Sequence, residues 1–242
     1  MLRAPWFEVS CCPTNVARTL SSLGAYVATV SDDGLQIHQY ADADISTTLP
    51  GGQPVAVRVR TRYPDDGLVE VTIVESPPTP WTLSLRVPGW ATAGATVTVG
   101  EQELTVAPGY ADVRERLTTG DVVQLMLPMD PRWVLPHPRI DAIRGTVAVE
   151  RGPVVMCMES VDLGESVADV RVDTSTLPRH ADGVTRVRAT TVDVPDVSWP
   201  YRADLTETVR ADPSEVALIP YHQWANRGPS TMRVWLPQAS PS

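Results

Sequence analysis

Two adjacent thiols, Cys11 and Cys12, mark the stretch of this sequence where chemistry is easiest to place. They stand in Trp6-Phe7-Glu8-Val9-Ser10-Cys11-Cys12-Pro13-Thr14-Asn15, just ahead of a segment with helical periodicity. A free thiol ionises near pH 8.5, and the positive end of a helix or a bound metal lowers that value, so thiolate chemistry is favoured here. Two thiolates also make half of a tetrahedral zinc site whose other ligands come from elsewhere. The spacing equally admits a pair of small buried apolar side chains. Glu8 is either a carboxylate partner of the thiols or a solvated turn residue. Cys157, inside the apolar run Val154-Val155-Met156-Cys157-Met158, reads as core. His38, His137, His180 and His222 show no metal-ligand spacing such as i, i+4 and read as surface or strand residues. No Ser-His-Asp order, phosphate loop or dinucleotide fingerprint occurs. Trp90 and Trp224 are either stacking platforms for the apolar faces of sugars or buried residues at sheet corners.

The element that would position the thiols is a helix. Val16, Leu20, Leu23 and Val27 fall on one stripe of a 3.6-residue period, which predicts a helix over residues 14–30, started by Pro13 and Thr14 and stopped by Ser31-Asp32-Asp33-Gly34. Beyond it the period drops to two. Short runs with one apolar face recur at residues 35–39, 55–59, 68–74, 81–87, 96–99, 110–114 and 122–127, separated by turn sequences, and predict an antiparallel sandwich. Pro128, Pro131, Pro136 and Pro138 then break the pattern, because proline cannot donate to a strand ladder. Strands resume at 146–150, 154–159, 184–194, 216–221 and 232–236, with 160–183 read as a long loop. The fold class is therefore mainly β: a helical segment 1–30, a first β-sandwich 31–136 and a second β-sandwich 137–242. No other helix is at hand to cover the apolar stripe. An isolated helix of this length is marginal in water, so the stripe is expected either partly exposed and prone to association, as in a homo-oligomer, or covered by the first sandwich.

Composition narrows the function classes. At 43% hydrophobic and 20% charged, the chain is globular, and with Phe7 its single phenylalanine the core must be built from Val, Leu, Ile and seven Trp. A net charge of −9 opposes a phosphate-binding surface, so no nucleic-acid partner is expected. All 20 basic residues are Arg, which excludes Schiff-base and P-loop lysine chemistry. No window approaches the roughly 20 apolar residues of a membrane span, and residues 1–6 are too short and polar for a signal peptide. A soluble, unexported, cytoplasmic chain without a membrane partner is the expectation. Three cysteines, two of them adjacent with diverging side chains, argue against a disulfide framework.

Four segments, in order, resemble one family. Cys11-Cys12-Pro13-Thr14-Asn15-Val16-Ala17-Arg18 is similar to the Cys-Cys-Pro-Pro-Asn-x-Ala-Arg motif of glycoside hydrolase family 127, the β-L-arabinofuranosidase type. Leu85-Arg86-Val87-Pro88-Gly89-Trp90, the segment 144–155 that begins Arg144-Gly145-Thr146, and the segment 219–228 around Tyr221-His222-Gln223-Trp224 resemble its downstream motifs. The resemblance implies an (α/α)6-barrel enzyme followed by β-sandwich domains, of which this sequence holds the last barrel helix and the sandwiches. It implies a carbohydrate substrate and a retaining mechanism in which Cys11 is the nucleophile. It also implies zinc held by Cys11 and Cys12 together with a Glu and a Cys from earlier in the barrel. In the family pattern those two ligands and the acid/base Glu precede Met1, Glu8 does not match the acid/base position, and some members carry a further Cys where Val9 stands. The expectation is an incomplete site, inactive unless an N-terminal barrel associates with it. The rival reading is a non-catalytic β-sandwich module that binds carbohydrate or serves as structure.

Overall fold

The computed structural model describes residues 2–3, 13–164, 166–193, 208–210 and 212–239. Its one α-helix among these residues, α1 (Pro13–Ser22), is shorter than the predicted 14–30 and runs into a 3-10 turn at Leu23–Tyr26. The hydroxyls of Ser21 and Ser22 both donate to the Arg18 carbonyl, competing with helical bonding at that end. Gly24 and the β-branched Val27, Thr29 and Val30 then favour extended chain, and β1 (Ala28–Val30) forms instead of a further helical turn. The apolar stripe stays open to solvent: Val16, Leu20 and Leu23 are 59%, 68% and 54% exposed. No helix among the described residues is long and apolar enough to cross a membrane.

The chain divides between Met129 and Asp130 into two units, with residues 2–3 grouped with the second. The break precedes the predicted one at 136 because β11 (Pro131–Val134) pairs with a strand of the second unit.

The first domain packs two sheets. One has the order β1, β2 (Gly34–Ile37), β6 (Thr82–Val87), β9 (Gly109–Val113). The other runs β3 (Ala43–Leu49), β4 (Gln53–Thr61), β5 (Leu68–Glu75), β10 (Val122–Met126), β7 (Ala95–Val99), β8 (Gln102–Val106). Alternation puts Val55, Val57 and Val59 of β4 and Val69, Val71 and Ile73 of β5 against Leu35, Ile37, Leu83 and Leu85 of the smaller sheet, in one aliphatic core. Edge strands β3 and β8 lack a clean apolar alternation and were not predicted; β8 exposes four of its five residues.

One pair departs from the expected antiparallel pattern. β2 and β6 run parallel, which is possible because β3, β4 and β5 lie between them in sequence and belong to the other sheet. The strands approach so closely at the Gly34–Thr82 position that a Cβ on Gly34 would sit 1.9 Å from the Thr82 carbonyl oxygen. Asp33 seals the entry, its carbonyl accepting from the Thr82 amide at 3.0 Å.

In the second domain the strands among the described residues pair antiparallel, along the path β11, β12 (Thr146–Arg151), β13 (Val154–Glu159), β18 (Ser214–Pro220), β16 (Val184–Asp193), β14 (Val170–Val172). Short strands flank it: β15 (Arg179–Ala181) and β17 (Thr208–Val209) pair with β16, β19 (Met232–Arg233) with β13, and β20 (Leu236–Pro237) with β12. The region 160–183 is thus not one loop but contains β14 and β15. The sheet closes on itself, since β20 pairs with β12 while the next residue, Gln238, bridges Val172 of β14. Inside lie Val147, Val149, Met156, Met158, Val187 and Leu218.

The Gly34 contact is a firm test of the first domain. Gly34→Ala sets a methyl against backbone that cannot yield and should cost about 2–3 kcal/mol, whereas Gly89→Ala, with nothing within 4 Å, should stay within about 0.5 kcal/mol of the parent. Urea unfolding of both variants checks this; equal midpoints would disprove the close approach.

Candidate functional site

Cys11, Cys12 and Glu8 lie outside the described residues. The helix that follows the thiols does not: α1 holds no buried residue, and the Arg18 guanidinium reaches Asn15 Oδ1 at 2.8 Å, both within the thiol motif. Among the described residues, no group of three or more His, Cys, Asp or Glu side chains is placed to hold a metal ion. The fit of zinc therefore rests on the donor chemistry of the two thiols alone.

The first domain carries the segment at 85–90. Here the Tyr40 hydroxyl donates to the Arg86 carbonyl at 2.6 Å, and Ala91 closes a turn on the Pro88 carbonyl at 3.0 Å. Trp90 packs against the core as a half-buried residue, as the corner reading expects. His38 pairs through Nδ1 with the Tyr110 hydroxyl at 2.6 Å and through Nε2 with the Thr29 hydroxyl at 2.7 Å. With both ring nitrogens engaged it acts as a strut between β1 and β9.

The remaining histidines are equally local. His137 Nδ1 accepts from the Arg139 amide at 3.2 Å, and His180 Nδ1 lies 2.9 Å from the Thr185 hydroxyl, burial lowering its pKa. His222 is exposed on the 3-10 turn Tyr221–Gln223. Cys157 is buried, and burial pushes its thiol up to about 11, so it has no thiolate to offer near neutrality.

The second domain gathers its polar side chains around Glu159, at the end of β13 and fully buried. Oε1 accepts from the Ala225 amide at 3.0 Å and from the Ser230 hydroxyl; Oε2 accepts from Arg227 Nη2 at 2.6 Å. Arg227 also grips Asp162 with both terminal nitrogens, at 2.8 and 2.6 Å. Burial opposes ionisation of Glu159, but the Ser230 hydroxyl, the Arg227 guanidinium and the Ala225 amide outweigh it and hold the carboxyl below its usual range. Asp162 first, then Glu159, raises the pKa of Arg227 in turn. Ala225 takes a left-handed φ of 61°, unusual for a residue with a side chain, and the bond to Glu159 keeps it there. This cluster escaped sequence reasoning: Glu159 looks like a solvated strand end, and only its place directly after an apolar run hints at burial.

The same turn receives the start of the chain. Arg3 Nη2 donates to the Tyr221 carbonyl at 2.9 Å, and its guanidinium lies 5.5 Å from the Trp224 ring centroid. Trp224 is half-buried with Arg3 over its ring, so that face is taken. A buried carboxylate with all its partners in place is an anchor and has no access to a substrate proton.

Comparison with known proteins places this architecture. The β-L-arabinofuranosidase, GH127 middle-domain model matches residues 34–129, and the glycoside hydrolase family 127 C-terminal-domain model matches residues 131–237. The chain belongs to glycoside hydrolase family 127. Both model ranges fall within single units of the structure, on either side of the Met129–Asp130 break. A non-reducing end β-L-arabinofuranosidase of Bifidobacterium longum subsp. longum is 30% identical over 96% of this chain, and 38% of that protein is covered. The crystal structure of a family 127 β-L-arabinofuranosidase from Geobacillus stearothermophilus T6 superposes with a TM-score of 0.83 at 32% identity, over 98% of this chain and 39% of the other. A second solved family 127 β-arabinofuranosidase gives 0.78 at 28% identity, over 99% and 40%. The chain thus spans about two fifths of the length of these relatives.

The Glu159 cluster yields a stability test. Glu159→Ala strands Ser230, the Ala225 amide and Arg227 and should cost roughly 3 kcal/mol, the lower end for a broken buried pair because Arg227 is half-exposed. A carboxyl with a depressed folded pKa stabilises fully above its unfolded value of about 4.3 and loses that contribution as pH falls through the folded value. Wild type should therefore lose more stability than Glu159→Gln between about pH 5 and pH 3. Denaturant midpoints across that range check both statements, and parallel pH profiles would rule out an ionised Glu159.

Proposed function

We propose that this chain is the C-terminal portion of a retaining, zinc-dependent glycoside hydrolase that releases terminal β-L-arabinofuranosyl residues or related sugars. The observation that carries the reading is the thiol motif Cys11-Cys12 leading into α1, ahead of two domains that superpose on a β-L-arabinofuranosidase over 98% of the chain. In this reading Cys11 Sγ attacks the anomeric carbon, the bond to the leaving oxygen breaks as a general acid protonates it, and a sulfur–carbon glycosyl bond forms. Water, giving its proton to the conjugate base of that acid, then attacks the face opposite the sulfur, breaks the sulfur–carbon bond and frees the Cys11 thiolate, so that two inversions restore the starting configuration. Cys11 and Cys12 are the ligands this chain offers to zinc, which when bound favours the thiolate over the thiol.

The proton donor is not Glu159, which is fully buried and held as a carboxylate by Ala225, Ser230 and Arg227. The open stripe of Val16, Leu20 and Leu23 supports a further packing partner for α1, an N-terminal barrel or a second copy of the chain. Turnover is assigned to the assembled enzyme and not to these 242 residues by themselves.

The chain alone should release no aryl alcohol from an aryl β-L-arabinofuranoside. Fused behind the part of the Geobacillus relative that this chain does not cover, it should turn the substrate over. In that fusion Cys11→Ser should abolish activity with both β domains still folded, while Cys12→Ser should lower zinc content and rate together. A haloacetamide-bearing arabinofuranose analogue, read by mass spectrometry, should label Cys11. Labelling elsewhere, or wild-type zinc content in Cys12→Ser, would overturn the assignment of roles.

A further inference from the structure

The outer face of the second domain carries arginines with too few partners. Thr185, Val187 and Ala189 of β16 point into the core, so the alternating Arg186 and Arg188 face outward. Arg179 of β15 stands directly opposite Arg186 in the antiparallel register. On the other side of Arg186 the neighbour is the small Ala217, and beside Arg188 it is Glu215. Between them opens a cleft of about 270 Å³, walled by Thr176, Leu177, the three arginines, Ser214 and Glu215. That volume lies just under the span of about 300–1,000 Å³ typical of drug-sized ligands and suits one sugar ring.

Like charges placed opposite each other across a ladder repel. Asp173 partly neutralises Arg188, at 3.7 Å from its Nε. Arg186 has a single long hydrogen bond, to the Ala181 carbonyl at 3.5 Å. Arg179 meets no acceptor among the described residues. Two guanidinium groups, five N–H donors each, thus line one space whose single carboxylate, Glu215, stands opposite Arg188 in the ladder and not opposite either of them. An oxyanion there would relieve the repulsion and take paired, charge-assisted hydrogen bonds.

The rim tells what kind of anion. Leu177 is 75% exposed, yet its loop is held: Trp133 Nε1 donates to the Thr176 carbonyl at 2.9 Å, and the Ser175 amide donates to Asp173 Oδ1 at 2.9 Å. An apolar side chain on a held loop beside Arg179 and Arg186, with the hydroxyls of Thr176 and Ser214 nearby, suits a sugar with an apolar ring face, hydroxyl groups and one carboxylate. The net charge of −9 works against a long polyanion such as nucleic acid.

We propose that this cleft is a binding subsite for an acidic sugar, with the uronate carboxylate on Arg179 and Arg186 and the ring face on Leu177. The choice of a sugar rests on the carbohydrate reading above. Binding needs neither the thiols nor turnover, so its failure leaves the glycosidase reading standing, and failure of that reading leaves a carboxylate site to be found.

The test is titration of the 242-residue chain with digalacturonate at low salt, followed by calorimetry or by amide shifts in NMR. Saturable binding is expected, weakened at least about tenfold by Arg179→Gln and by Arg186→Gln, the worth of one charge-assisted hydrogen bond. Leu177→Ser should also weaken it, and Arg58→Gln, a surface ion-pair partner in the first domain, should not. Neutral arabinose disaccharide should not bind in the cleft. Arg179 touches no acceptor among the described residues, so its replacement keeps the fold and decides the matter even if Arg186→Gln is destabilised. Absence of saturable binding, binding indifferent to Arg179→Gln, or acetate and phosphate competing as well as the uronate would overturn the proposal.

Discussion

A carboxylate taken fully out of water must be met by donors on both oxygens, and that requirement at Glu159 shapes much of the second domain. Its partners come from 66 to 71 residues further along the chain, so β13 and the turn beyond β18 are held in one relative position. Ala225 accepts a left-handed backbone to present its amide, and Arg227 leans inward although it could remain in water. The turn so shaped is the one on which Arg3 rests, through the Tyr221 carbonyl and the Trp224 ring. Remove the carboxylate and the reason for each of these conformations goes with it.

The first domain depends on a different kind of constraint, steric and apolar. Its core is aliphatic, filled by β-branched residues whose stiff side chains suit the pleat. The parallel contact of β2 with β6 has room only for hydrogen at Gly34. Aromatic residues serve at the margins, where a polar tip can find a partner: the Trp81 indole donates to Ser76 and the Tyr40 hydroxyl to Arg86.

Much of this was legible in the sequence where pattern and burial coincide. Runs such as Val55-Ala56-Val57-Arg58-Val59 and Leu68 to Val74 alternate because one face is core, and both became strands. β8 was invisible because four of its five residues are exposed, and β14 and β15 because three residues are too few to show a period. The helix was overextended since an apolar stripe continues smoothly into a strand when the spacing happens to agree, and only Gly24 and the β-branched residues after it mark the change. Of the chemistry, the adjacent thiols and the segments 85–90 and 219–228 could be read because they are contiguous. Glu159 and its partners, like Arg179 and Arg186, become neighbours only through folding and carry no local sign.

The closed path of the second domain has a consequence for how the chain is made. β12 is complete early, but the strand that covers its free edge, β20, is translated after β13, β14, β16 and β18. While a ribosome is still adding those residues, β12 and β14 both present unpaired backbone, and Val147 and Val172 lack the neighbour that Leu236 and Gln238 supply. An open edge of that kind pairs readily with another nascent chain. The residues after β19 therefore act as a latch on the finished domain, and an early stop there would leave most strands intact yet expose the edge that makes neighbouring chains stick.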